Sequence, residues 1–210
     1  MGEQNFIEAL KKRLKQPLPG LEAQRQMSSR PPSGNFEIRP DHRKSGVLAL
    51  LYPYHEILHL AFMKRTEDGR VHSGQISFPG GKMETDDRDY IHTALREANE
   101  ELGIISEQVE VLGQLSPLYI PPSNFLVYPS VGFSRQRPDF QLSEKEVAAV
   151  IETPLEYLLK KETVQRVQVT VGHQLRMNVP AFTFGSHIIW GATAMMLNEL
   201  LTVVRELGSK

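Results

Sequence analysis

The chain has 210 residues, 40% of them hydrophobic and 23% charged, which suits one well-buried core and leaves too little length for two ordinary domains. Its 24 Lys and Arg against 25 Asp and Glu leave a net charge of -1, so no global field draws it to nucleic acid or to an anionic membrane, and any preference for anions must be local. Cysteine is absent, which excludes disulfides, thiolate catalysis and cysteine metal sites.

At the start, Phe6, Ile7, Leu10 and Leu14 recur at helical spacing and predict an amphipathic helix closed by Pro17, Pro19 and Gly20. A lid, an arm for a homodimer and plain packing are its three candidate roles. Residues 24 to 41, rich in Ser, Pro, Arg and Gly, read as a surface linker, so residues 1–40 form an extension and 41–210 the main domain. The first residues lack an apolar signal core, Phe6 breaks the myristoylation pattern, and Gly208-Ser209-Lys210 is not a peroxisomal ending. No stretch approaches the ~18 apolar residues of a membrane span. The cytoplasm is the expected compartment.

Val47 to Tyr52 and Ile57 to Lys64 read as buried strands joined by a turn at Pro53 to Glu56. Across that turn, His55-Glu56-Ile57-Leu58-His59 matches the zinc protease pattern H-E-x-x-H. That chemistry needs a helix, where histidines four apart share a face. On the strand expected here they would stand roughly 13 Å apart, too far to grip one ion.

A glycine-rich turn, Phe78-Pro79-Gly80-Gly81-Lys82, precedes a helix ending in Arg96-Glu97-Ala98-Asn99-Glu100-Glu101-Leu102-Gly103. At about 100° per residue, Glu97, Glu100 and Glu101 share one face, and Ile91, Ala94, Leu95, Ala98 and Leu102 form an apolar stripe beside it. Like charges at this spacing repel by a few tenths of a kcal/mol per pair, roughly. A divalent cation removes that repulsion, and an all-oxygen donor set favours Mg2+ or Mn2+ over zinc. A solvated acidic face is the alternative. Gly103 suits the left-handed residue that ends a helix.

Further strands are expected at Val109 to Leu115, Leu126 to Phe133, Val147 to Glu152, Val164 to Val171 and Gln174 to Val179, with a Gly172-His173 hairpin turn between the last two. Helices are expected at Leu155 to Lys160 and Gly191 to Leu207. Strands of mixed connection with helices at both ends imply an α/β class fold, an α/β/α sandwich around a mixed β-sheet.

The run from Arg96 to Ile104 resembles the second half of the Nudix box, G-x5-E-x7-R-E-U-x-E-E-x-G-U with U apolar, and Ala98 is a small version of the bulky residue usual there. Its first half departs from the pattern. Seven residues before Arg96 stands Arg88, and the acidic residue comes one step earlier, at Asp87. This lengthening, with Arg70, Gly74 and Phe78-Pro79-Gly80-Gly81 upstream, looks like the Nudix subgroup that hydrolyses coenzyme A and its derivatives. Ile189 to Ala194 looks like the start of that family's C-terminal helix, so the resemblance covers Lys44 to Glu206.

The resemblance implies a Nudix-like α/β/α sandwich and a Mg2+- or Mn2+-dependent hydrolase that splits coenzyme A or an acyl derivative into 3',5'-ADP and 4'-phosphopantetheine. ADP-ribose or a dinucleotide is the second substrate reading, and a catalytically silent nucleotide-binding module the rival class. Glu97, Glu100 and Glu101 would hold the metals. Arg96 would pair with a loop carboxylate, Asp87 first and Glu84 second. Glu100 and Glu101 also stand as catalytic candidates, and Glu101 competes for the role of general base with Glu144 and Glu146 of a later loop. Arg65 and Arg70 would meet the adenosine phosphates, because a guanidinium pairs with phosphate in a fork. Gly80, Gly81 and Lys82 would let backbone approach the pyrophosphate. Leu118 to Phe125 would line a pantetheine channel or pack at the core edge.

Overall fold

The computed structural model describes residues 2–29, 37–67, 74–171 and 175–208. Its strands are β1 (Arg43–Tyr54), β2 (Ile57–Arg65), β3 (Ile76–Ser77), β4 (Gly80–Lys82), β5 (Val109–Gln114), β6 (Leu118–Ile120), β7 (Phe125–Ser134), β8 (Val147–Pro154), β9 (Val164–Val171), β10 (Leu175–Phe184) and β11 (His187–Trp190). The helices are α1 (Glu3–Arg13), α2 (Gly20–Arg25), α3 (Tyr90–Leu102), α4 (Leu155–Leu158) and α5 (Gly191–Gly208). Among the described residues, β1 to β8 form one sheet and β9 to β11 a second, antiparallel one. The larger sheet is mixed, because β1 runs parallel to β7 and antiparallel to β2 and β4.

Strand β1 lies at the centre, and its residues alternate between two buried faces. Leu48, Leu50 and Tyr52 pack with Ala94, Ala98 and Leu102 of α3. Ala49 and Leu51 belong to the opposite core, which also takes Leu197, Leu200 and Leu201 of α5. The predicted three-layer α/β/α arrangement follows directly. On α3 the apolar stripe faces inward as its spacing requires, with Ala94, Ala98 and Leu102 fully buried.

The N-terminal segment contributes to the same core. Ile7 and Leu10 are fully buried and Leu14 nearly so, among residues of the sheet and α5. Each such side chain contributes about 1.5–3 kcal/mol by leaving water. Residues 24 and 25, expected in the linker, instead close helix α2. Glu199 of α5 explains why: wholly buried, it accepts hydrogen bonds from Gly20 N (3.0 Å), Gln24 Nε2 (2.8 Å) and Ser116 N (3.2 Å). A buried carboxylate must be satisfied by donors, and α2 supplies two of them.

The H-E-x-x-H match falls on a hairpin. Pro53 still pairs with Leu58, and the turn narrows to His55 and Glu56, both at positive φ, 49° and 62°. Two such residues make the turn that suits the strands' twist. His59 stacks on Tyr52 with ring centroids 6.2 Å apart, which is a packing role. Strand β10 continues through Pro180 to Phe184, past the expected end at Val179, because β9 pairs with it as far as Phe182 and β11 from Ala181 onward, so that Pro180 has a strand neighbour on one side only. The expected turn at Gly172-His173 lies outside the described residues.

Candidate active site

Helix α3 opens on Asp89, whose carboxylate accepts the His92 N–H at 2.8 Å and satisfies a first-turn amide that the helix leaves unpaired. Two residues earlier, Asp87 is buried and collects five donors. Arg96 Nε and Nη2 reach its two oxygens at 3.0 Å each, Thr93 Oγ1 and the Glu84 N–H donate at 3.0 and 2.9 Å, and His92 Nδ1 lies at 2.9 Å. Arg96 above all holds the Asp87 carboxyl well below the usual carboxylate range, against the opposing effect of burial. The loop partner of Arg96 is therefore Asp87. Glu84, the second choice, contributes its backbone N–H to the same carboxylate. His92 and Thr93 went unnoticed in the sequence, although their positions one turn inside the helix place them opposite the loop that carries Asp87.

The guanidinium of Arg96 does more than hold the loop. It also donates to Glu100 Oε2 at 3.1 Å and to the Lys82 carbonyl at 3.2 Å, and pairs with Glu97 Oε1 at 3.0 Å. Thus Lys82 enters through its backbone. Gly81 lies against Glu97, where a Cβ would stand 2.4 Å from the carboxyl carbon and would push the end of that side chain out of its present position. Gly80 donates its N–H to Glu101 Oε2 at 2.8 Å while pairing with Val47 of β1. The expected turn is therefore a short strand set against the box helix.

The three box carboxylates differ sharply in exposure. Glu100 is exposed, Glu97 is half-buried and Glu101 is only 3% exposed. Burial pushes the Glu101 carboxyl up to about 8; the Gly80 N–H and Arg65 oppose this, and the carboxylates of Glu97 and Glu146 add to it. Glu97 is raised as well, chiefly by burial, with Glu100 and Glu146 contributing. A merely solvated acidic face would not sink Glu101 into the protein. Among the described residues, no three His, Cys, Asp or Glu side chains already converge as ligands; Glu97 and Glu100 turn toward Arg96. The donor chemistry nonetheless fits a hard divalent ion, which prefers oxygen ligands and relieves the repulsion between neighbouring carboxylates.

Two further segments close on this corner. Arg65, at the end of β2, places Nη1 3.7 Å from Glu101 Oε1. The loop after β7 is fastened to the end of α3 by Gln141 N to Leu102 O (2.9 Å) and Ser143 N to Glu101 O (3.0 Å). Thr66 N donates to Glu146 O at 3.1 Å, and Thr66 Oγ1 to Lys145 O at 3.2 Å. This loop brings Glu146 into the field of Glu97 and Glu101. Arg70 lies outside the described residues. The segment 118–125 is a hairpin of β6 and β7. A cavity of about 290 Å3 opens on another flank of α3, beside Arg88, His92 and Asn99, and none of the three box glutamates lines it.

The family model described as NUDIX domain matches residues 42–170. The chain belongs to the Nudix family. The uncharacterized Nudix hydrolase NudL of Pectobacterium atrosepticum is 37% identical over 172 residues, which span 81% of this chain and 86% of the relative. The mitochondrial coenzyme A diphosphatase NUDT8 of Homo sapiens is 36% identical over 134 residues, spanning 63% of this chain and 57% of its own. Two solved structures share the Nudix fold: a MutT/nudix family protein from Enterococcus faecalis (TM-score 0.53, 16% identity, 82% of this chain and 66% of that one) and a MutT protein from Methanosarcina mazei Go1 (TM-score 0.51, 17% identity, 80% and 96%). This Nudix chain is accordingly a Nudix pyrophosphohydrolase, of a family whose hydrolases generally depend on divalent metal. No described helix is long and apolar enough to cross a membrane.

Proposed function

We propose that this Nudix enzyme cleaves the pyrophosphate link of coenzyme A or its acyl derivatives, yielding 3',5'-ADP and 4'-phosphopantetheine. The observation that carries this reading is the likeness to the human coenzyme A diphosphatase over 134 residues, a span longer than the box alone. The Arg70, Gly74 and Phe78-Pro79-Gly80-Gly81 spacing and the one-residue lengthening ahead of Arg96 support it. The bacterial origin of the NudL relatives is in keeping with a cytoplasmic site of action.

Glu97, Glu100 and Glu101 would hold Mg2+ or Mn2+. When bound, such an ion neutralises phosphoryl charge and lowers the pKa of a water. The chain's own groups do the rest. Arg96, locked on Asp87, sets the distance between the glycine strand and the helix, and so the spacing of Glu97 from Gly81. The Gly80 N–H orients Glu101. Glu146, held over this corner by Thr66 and Ser143, takes a proton from the attacking water as the anhydride oxygen departs with one phosphate. Arg65 would meet the anionic substrate, and Arg70 is assigned the same role from its place in the sequence alone.

The test is incubation of the purified protein with Mg2+ or Mn2+ and coenzyme A, ADP-ribose, NADH or diadenosine polyphosphates, with products weighed by mass spectrometry. The expected products from coenzyme A together weigh the substrate plus one water. Brisk cleavage of another member with none of coenzyme A would overturn the substrate and leave the reaction class standing.

A further inference from the structure

Arg65 occupies an odd position for a group that only meets substrate. It lies two residues beyond Met63, whose side chain packs in the α3-side core, so strand alternation directs Arg65 to the face of the box helix. There the pairing of β2 with β8 slips: Lys64 faces Ala149 but Arg65 faces Val147, leaving Ala148 as an extra residue. Such bulges bend the strand and re-aim neighbouring side chains. A hydrogen bond from Arg65 N to Gln75 O, 3.0 Å, fixes the backbone on the other edge.

The side chain is much less firmly held. Its Nη1 stands 3.7 Å from Glu101 Oε1, too far for a hydrogen bond, and 36% of it is exposed, whereas Glu101 is buried. The other oxygen of Glu101 is already committed to the Gly80 N–H. Glu97 and Glu146 add negative charge to the same corner. Arg65 thus neutralises a crowded set of carboxylates through a contact that is electrostatic, long and open to water. A cation in that place competes directly with any other cation drawn to Glu101.

We propose that Arg65 is a place-holder cation: it balances the ionised carboxylate of Glu101 in the metal-free enzyme, and is released on metal binding to clamp a phosphate of the substrate. The proposal rests on the reading of Glu101 as a metal ligand. Repulsion from the incoming ion frees the guanidinium, and its partly exposed position makes leaving inexpensive. Once free, it offers a rigid fork that matches a phosphate better than a lysine does.

The test is Mn2+ binding to the metal-free, full-length protein without substrate at about pH 8.5, where most of the Glu101 carboxyl is ionised, followed by the free-ion paramagnetic resonance signal in the wild type, R65M, R65K and E101Q. Removing a unit charge this close should let R65M bind Mn2+ about ten-fold tighter, while R65K stays within about two-fold of the wild type. With Mn2+ saturating, the KM of R65M for coenzyme A should rise about ten-fold, with a smaller change in kcat. Unchanged or weaker Mn2+ binding by R65M, where E101Q has lost it, would overturn the place-holder role alone. Wild-type binding by E101Q would overturn the metal reading of Glu101 and the place-holder with it.

Discussion

Arg96 grips Asp87 through two parallel bonds, Nε to Oδ1 and Nη2 to Oδ2, each 3.0 Å long, and thereby ties the loop before the box helix to its middle. The Asp87 side chain is only 1% exposed, and removing its charge takes from the mostly covered Arg96 guanidinium its two-bond partner, leaving Glu97 and Glu100 beside it. Breaking a buried pair costs about 3–5 kcal/mol when the remaining charge has no partner; with Glu97 and Glu100 still on Arg96, D87N should lose less than that in urea unfolding at pH 7. Because the Asp87 carboxyl is held below its unfolded value, its contribution is complete above the unfolded pKa of about 4 and fades as pH falls toward the folded value. The gap between wild type and D87N should therefore narrow in acid. A gap that stays constant down to pH 2 would show that the pair is not the source.

Glu101 should give the opposite slope. Its folded pKa, about 8, lies above the unfolded value, so between roughly pH 4.3 and 8 the folded protein binds the extra proton and metal-free stability falls as pH rises. The slope is at most about 1.4 kcal/mol per pH unit. E101Q should flatten it, and saturating Mg2+ at pH 8 should raise the melting temperature of the wild type but not of E101Q. Turnover in E101Q should drop at least about 100-fold with the fold intact. Parallel stability curves for the two proteins would remove Glu101 from this role.

These two residues also mark where the sequence was readable. The spacing of Ala94, Ala98 and Leu102 against Glu97, Glu100 and Glu101 gave the helix and its orientation, because both patterns follow from one rotation per residue. The partner of Arg96 was open between Asp87 and Glu84, since one extra residue displaces the loop by an amount that only the donors of Thr93, His92 and the Glu84 N–H decide. Short strands such as β3 and β4 have too few residues to show alternation; their neighbours define them. Helix α2 escaped notice for a similar reason: its stability comes from Glu199, 179 residues beyond Gly20.

Gly103 tests how closely the two halves of the site are coupled. It adopts φ 70°, and a Cβ there would stand 2.7 Å from Cβ of Gln141, at the root of the loop that carries Glu146. G103A should cost more than the ~1 kcal/mol of left-handed strain alone, because the loop must also retreat. Activity should fall further than stability predicts, with the loss appearing in kcat. A variant that loses about 1 kcal/mol in urea unfolding and keeps full kcat would separate the helix end from the chemistry.

Glu146 and Glu144 stand two residues apart on that loop and both are exposed, yet only Glu146 bears on the charges of Glu97 and Glu101. Thr66 donates from its backbone to the Glu146 carbonyl and from its hydroxyl to the Lys145 carbonyl, so the chain is held on the Glu146 side of the loop. A general base must lie within reach of the attacking water, directly or through one further water, and its removal costs about 10^2 to 10^4 in rate. E146Q should accordingly lose about that much kcat with Mg2+ saturating, retain its affinity for coenzyme A, and show little change in unfolding midpoint. E144Q should stay within about two-fold of the wild type. Should the two variants exchange these behaviours, the base lies at Glu144, and the Thr66 contacts serve only to close the loop.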